Sequence, residues 1–171
     1  MSDELRLCPV TRENSGGLAE MAREFEAAGE PGFEVALSDP EAFFSRIACF
    51  ELGTDLPTDR VRQSQFWLFR ADRLLGSSRL RHRLITRLER DGGHIGYEIR
   101  PSERRLGFGS ALLGLTLQEA KAIGLPRVLL TTEPTNLGSI RIIRNNGGVF
   151  TDTSVSPNTG RTMNRYWIEL S

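Results

Sequence analysis

This 171-residue sequence predicts an α/β fold in which a mixed, mostly antiparallel sheet is flanked by helices. Three observations carry that prediction. Apolar runs of strand length alternate along the chain with stretches whose apolar residues recur at helical spacing. Strand-like runs around short turns at 65–84 and 149–170 form antiparallel hairpins. A further strand-like run, His94-Ile-Gly-Tyr-Glu-Ile-Arg100, feeds a glycine-bearing turn that opens directly into an amphipathic helix.

Taken in order, Leu5 to Val10 is a short first strand. Thr11 or Asn14 offers a cap for a helix carrying Leu18, Met21, Ala22 and Phe25, which Gly29-Glu-Pro-Gly32 stops. Ser38-Asp39-Pro40-Glu41 is a second start signal, with a capping side chain, a proline in the first turn and an acid near the positive helix end. The helix it opens buries Phe43, Phe44, Ile47, Ala48 and Phe50, and residues 52–63 form a loop. Gln65 to Arg70 has the pattern of a buried strand. The turn Ala71-Asp-Arg73 returns the chain through Leu74 to Leu84, where Arg79, Arg81 and Arg83 alternate with Leu80, His82 and Leu84 to give one basic face. The strand 94–100 follows the turn Asp91-Gly92-Gly93. Helix 107–123 buries Leu113, Leu117 and Ala120 and ends at Gly124, with Pro126 blocking its continuation. A strand at 127–132 runs parallel to 94–100, because a helix crosses between them. Asn136 caps a helix with Ile140, Ile142 and Ile143, closed by Gly147-Gly148. Two strands, Val149 to Thr153 and Thr162 to Leu170, complete the chain. Phe43, Phe44, Phe66, Trp67 and Phe69 are assigned to core. One domain is expected over 1–171. Its parts are a first strand and acceptor-side helices at 1–60, a core at 65–150 and closing strands at 149–171.

Composition narrows the function classes. No apolar run approaches the ~18–20 residues that span a bilayer, and the first residues lack a secretory signal pattern, so a cytoplasmic protein that binds no membrane is expected. Cys8 and Cys49 show no metal-ligand spacing and no disulfide framework, so they are read as buried, reduced thiols, and no metal is expected. Formal net charge is zero but unevenly placed: residues 1–60 hold thirteen acids against five arginines, and the remainder is correspondingly basic. A polyanionic cofactor suits the second part and a cationic acceptor the first. Nucleic acid is not expected, because the arginine face has no interleaved aromatic platform.

The stretch Arg104-Arg-Leu-Gly-Phe-Gly-Ser-Ala-Leu-Leu113 carries the chemistry. A strand that feeds a glycine turn and a helix leaves backbone N–H groups without intrahelical partners, at the positive end of the helix dipole. Such a turn suits a phosphate or pyrophosphate. Two nucleotide motifs fail. A dinucleotide fingerprint needs a third glycine where Leu112 stands and an acid after the next strand. A Walker loop needs a Gly-Lys pair, which the chain lacks.

Arg104-x-x-Gly107-x-Gly109, followed by Asn136-x-x-Ser139 and Gly147-Gly148-Val-Phe150, resembles the acyl-coenzyme A site of the GNAT N-acetyltransferase superfamily. The segment from His94 to Arg105 is similar to a branch labelled only as predicted acetyltransferases. The resemblance implies splayed central strands that bind acyl-CoA, with acetyl-CoA as co-substrate and a primary amine of a small molecule, amino acid or peptide as acceptor. It implies that the amides of Arg105, Leu106, Gly107, Phe108, Gly109 and Ser110 cradle the pyrophosphate, with Arg104 adding charge-assisted contacts and Gly107 and Gly109 permitting close approach. It also implies that Tyr97, Glu98 and Ile99 border the pantetheine, that the Ile99 amide polarises the thioester carbonyl, and that Asn136 and Ser139 contact the same arm. Family members often pair, so a homodimer is compatible with it.

Many members place a tyrosine proton donor seven residues after the helix asparagine, where this chain has Ile143. Water, Tyr97 or Tyr166 could serve, or the thiolate leaves unassisted. Ile143 also fits a catalytically weak acyl-CoA-binding or sensing module. Glu98 is the first choice of general base, with Glu133, His94 and His82 behind it.

Overall fold

The computed structural model describes residues 4–170. Among these, seven strands fall into two sheets. The first sheet has the order β1 (Leu5–Pro9), β2 (Gln63–Arg70), β3 (Arg73–Arg81), β4 (Ile95–Ile99), antiparallel throughout. The second has the order β5 (Arg127–Thr132), β7 (Thr162–Glu169), β6 (Val149–Val155), also antiparallel. The helices are α1 (Leu18–Ala27), α2 (Glu34–Ser38), α3 (Pro40–Leu52), α4 (Thr86–Arg90), α5 (Phe108–Ala122) and α6 (Leu137–Asn145).

Period-two alternation gives the first sheet its two apolar faces. Trp67, Phe69 and Leu74 meet Leu18, Met21 and Phe25 of α1, Ala36 of α2, and Phe43 and Ile47 of α3 on one side. Phe66, Leu80 and Ile95 meet Leu113 and Ala120 of α5 on the other, in a core shared with Val128, Leu130, Ile143 and Tyr166. Thr116 of α5 is wholly buried there, and its hydroxyl is 2.8 Å from that of Ser78 on β3, so the polar pair is satisfied.

Several local expectations are corrected. Thr11 and Asn14 do not cap α1, whose N-cap is Gly17; they close a turn on each other, and Asn14 also donates to the Pro9 carbonyl. Asp39 does cap α3, accepting from the Ala42 N–H at 3.0 Å. Cys49 is exposed and Cys8 only half-buried, because α3 turns Ala48 and Cys49 outward while Phe43 and Ile47 take the core. The strand from Leu74 stops at Arg81, and 86–90 coil into α4. Strands β4 and β5 are not paired partners. They meet at one end, where the His94 N–H donates to the Leu129 carbonyl and the Leu129 N–H donates to His94 Nδ1, and no ladder joins them beyond it. The fold therefore holds a wedge between its two sheets.

Candidate active site

The wedge wall is the free edge of β4. Arg81 donates to His94 and Arg100 to Leu75, and antiparallel alternation then turns the main-chain groups of Ile95, Tyr97 and Ile99 away from β3, toward the gap. A cavity of about 970 Å³ runs from this edge across the turn that opens α5. Tyr97, Glu98, Ile99, Arg104, Arg105, Gly107, Gly109, Ser110, Asn136 and Ser139 all line it. Leu106 is exposed and Phe108 is buried against Leu112, and neither lines the cavity.

The turn is shaped to present N–H groups. Arg105 and Gly107 have positive φ, 61° and 85°, which curls the backbone into a concave nest. The N–H groups of Arg105 through Gly109 have no hydrogen-bond partner among the described residues, whereas that of Ser110 donates to the Gly107 carbonyl. The two glycines differ in purpose. Open space surrounds Gly107, which serves the left-handed backbone, whereas a Cβ on Gly109 would come within 2.6 Å of Ile142 Cδ1. Gly109 thus lets α5 seat against α6.

Arg104 is already engaged. Its Nε donates to the Ile99 carbonyl at 3.0 Å, and its two terminal nitrogens grip both oxygens of Glu30 at 2.7 Å. Glu30 follows α1 and lines the same cavity.

Glu98 lies on the β4 face opposite Tyr97. Its carboxylate meets Arg79 Nη2 at 3.0 Å, and the Arg79 guanidinium rests on Gly96, where a Cβ would fall 3.1 Å from that nitrogen. Burial raises the Glu98 pKa, and the charges of Arg79 and Arg81 oppose the rise. On the other face, the Tyr97 hydroxyl reaches α6 and lies 2.8 Å from Ser139 Oγ. Burial pushes its pKa up to about 12, so the phenol keeps its proton. Asn136 caps α6, its Oδ1 accepting from the Ser139 N–H.

The other candidates are placed elsewhere. Tyr166 is 1% exposed, in the core against Phe150, and lines neither wedge cavity. His94 is buried as the acceptor that staples the sheets, and burial lowers its pKa to about 4, so it is a neutral structural group. His82 faces Ser64, at 2.9 Å, outside the wedge. Glu133 lines a second cavity but pairs with Arg161 at 2.9 Å. Ile143 is fully buried under Gly148 as part of the core.

A family model described as an acetyltransferase (GNAT) domain matches residues 4–149. The chain belongs to the GNAT acetyltransferase family. No curated protein sequence matches it. Solved GNAT structures share its fold. RimJ of Mycobacterium smegmatis, in complex with CoA-disulfide, superposes with a TM-score of 0.75 at 16% identity, covering 96% of this chain and 81% of that one. The ribosomal-protein-S5-alanine acetyltransferase of Vibrio fischeri gives 0.75 at 14% identity over 100% and 96%. The spermidine N-acetyltransferase of Vibrio cholerae, in complex with CoA and spermine, gives 0.65 at 15% identity over 97% and 95%.

Sequence reasoning missed three parts of this GNAT site. Glu30 carries no motif, and only the return of the chain after α1 brings it to Arg104. Arg79 was read as one of three residues on a basic strand face, yet it pairs with Glu98 across the β3–β4 ladder. Gly93 was read as a turn residue, but a Cβ there would fall 2.3 Å from the Leu129 carbonyl oxygen, so it also admits the contact that joins the sheets. Among the described residues no cluster of three or more His, Cys, Asp or Glu could hold a metal, and no helix is long and apolar enough to cross a membrane.

Proposed function

We propose that this protein transfers the acetyl group of acetyl-CoA to a primary amine by direct attack, as one domain over 1–171. The observation that carries the reading is the continuity of the unpartnered amides of Arg105 to Gly109 with the free edge of β4. The first suit a diphosphate and the second an extended amide-bearing arm, which would add to the sheet like a strand. Asn136 and Ser139 contact that arm from α6. Acetyl-CoA supplies the thioester, and the chain supplies the rest. Ile99 N–H, aimed outward from the edge, stabilises negative charge on the carbonyl oxygen. Glu98 takes the proton of the incoming ammonium or its bound water, with a pKa that burial has brought closer to neutrality. The protonated Tyr97 hydroxyl, on the opposite face of β4, supplies a proton to the departing thiolate, since the core residue Ile143 offers none. Arg104 reaches the diphosphate only by exchanging Glu30 for it.

Ile143 favours one rival, an acyl-CoA-binding module with little turnover. Two measurements separate them. Acetyl-CoA should raise the melting temperature, since a ligand that binds only the folded chain stabilises it; no shift at millimolar concentration removes both readings. Thiol release over a panel of amines should then exceed the hydrolytic background. Binding without any amine-dependent release leaves the sensing module.

A further inference from the structure

A second cavity, of about 530 Å³, continues the wedge past Tyr97 and Ser139, which line both cavities. The cofactor arm would pass Tyr97, Asn136 and Ser139, so the acceptor takes the part of this cavity beyond them. It is lined by Arg79, Arg81 and Gly96 along the edge of the first sheet, facing Thr131, Thr132 and Met163 of the second.

Arg81 is unusual there. Its Nη1 donates to two main-chain carbonyls, Gly92 at 2.9 Å and Gly93 at 3.0 Å, which fix the guanidinium in place. No carboxylate forms an ion pair with it among the described residues. Its remaining N–H donors have no partner among the described residues and are not sealed from the cavity. A guanidinium partly withdrawn from water, with the Asp91 carboxylate acting on it but not bonded to it, gains from a directly bound anion. In keeping with this, burial, then the nearby charges of Arg79 and Arg87, lowers its pKa to about 10. Of the acids that line this cavity, Glu133 pairs with Arg161, and Asp91 accepts from the Ser156 hydroxyl without an ion pair among the described residues.

We propose that Arg81 anchors the acceptor, and that the acceptor is a small primary amine bearing a carboxylate several atoms from its nitrogen. The guanidinium receives the carboxylate side-on through its free donors, while the amine reaches past Arg79 to Glu98, which lines the first cavity. Arg81 and Arg79, the partner of Glu98, lie two residues apart on β3, a backbone spacing of roughly 7 Å that sets the scale of the spacer. The inference rests on the acetyl-transfer reading. It departs from the cationic acceptor suggested by the acidic excess of residues 1–60, of which Glu20 and Glu24 are held by Arg100, Glu30 by Arg104 and Glu41 by Arg12.

The test uses three probes of matched length with the full chain: γ-aminobutyrate, its amide, and putrescine. Acetyl-CoA-dependent thiol release should show kcat/KM at least tenfold higher for γ-aminobutyrate than for either of the others. Arg81→Gln should raise KM for γ-aminobutyrate at least tenfold, leave KM for acetyl-CoA unchanged and bring the acid and the amide level. Should that variant fail to fold, since Arg81 also ties down the Gly92–Gly93 turn, the ratio in the unaltered protein decides alone. Equal or faster turnover of the amide or of putrescine overturns the anchor while acetyl transfer stands. Release unaffected by every amine overturns both.

Discussion

At the scale of single residues, the site depends on two arginine–glutamate pairs of different character. Glu98 and Arg79 are half-buried on the sheet, where desolvation and attraction act against each other. With the Glu98 pKa raised, the acid limb of kcat/KM should lie above the ordinary carboxylate range. Glu98→Gln should abolish that limb and cost about 100-fold in kcat, within the usual span for a lost general base. A pH–rate profile of both proteins checks this, and unchanged turnover in the variant would remove the assignment. Glu30 and Arg104 form the other pair, about two-fifths exposed on each side. Exposed pairs contribute about 0.5–1 kcal/mol. Glu30→Gln, which frees the arginine fork, should therefore tighten coenzyme A binding roughly two- to fivefold by titration calorimetry. Weaker binding would show that Glu30 orients Arg104 and does not compete for it.

At the scale of elements, the strand–turn–helix unit 94–122 was legible because its signals are local. Alternation, a glycine turn and a helical stripe lie within thirty residues. The caps were less so. Thr11 and Asn14 have the right chemistry, but their side chains close a turn on each other before α1 begins, and Asp39 wins its cap with Pro40 in the first turn. The splay of the central strands was expected, but the place where β4 and β5 still touch was not. The crossover helix fixes direction, but Gly93 and His94 allow only one point of contact. Gly93 has φ of 56° and no room for a Cβ against the Leu129 carbonyl. Gly93→Ala should destabilise the chain by roughly 3 kcal/mol, combining backbone strain with a main-chain clash. Denaturant unfolding checks this, and a change under 1 kcal/mol would show that the junction yields easily.

At the scale of the molecule, the same junction ties stability to pH. His94 has its folded-state pKa lowered to about 4 by burial, against an unfolded value near 6.5. Between those values the unfolded chain binds a proton that the native chain refuses. Stability should therefore be full above pH 6.5 and fall as pH drops toward 4, by up to about 3 kcal/mol. His94→Gln, which keeps an acceptor for the Leu129 N–H, should flatten the decline. An equally steep fall in the variant would assign it to the carboxylates.

The sequence by itself determined the order of elements, the phosphate-suited turn and the family, because each is written in residues close along the chain. Tertiary structure alone decided what those residues face. Arg79 became a glutamate's partner and Arg81 a half-buried cation, several of the thirteen acids of the first sixty residues pair with arginines, and a histidine became a staple. Local pattern fixes which groups a segment carries, but charge pairing and burial depend on segments brought together from far apart.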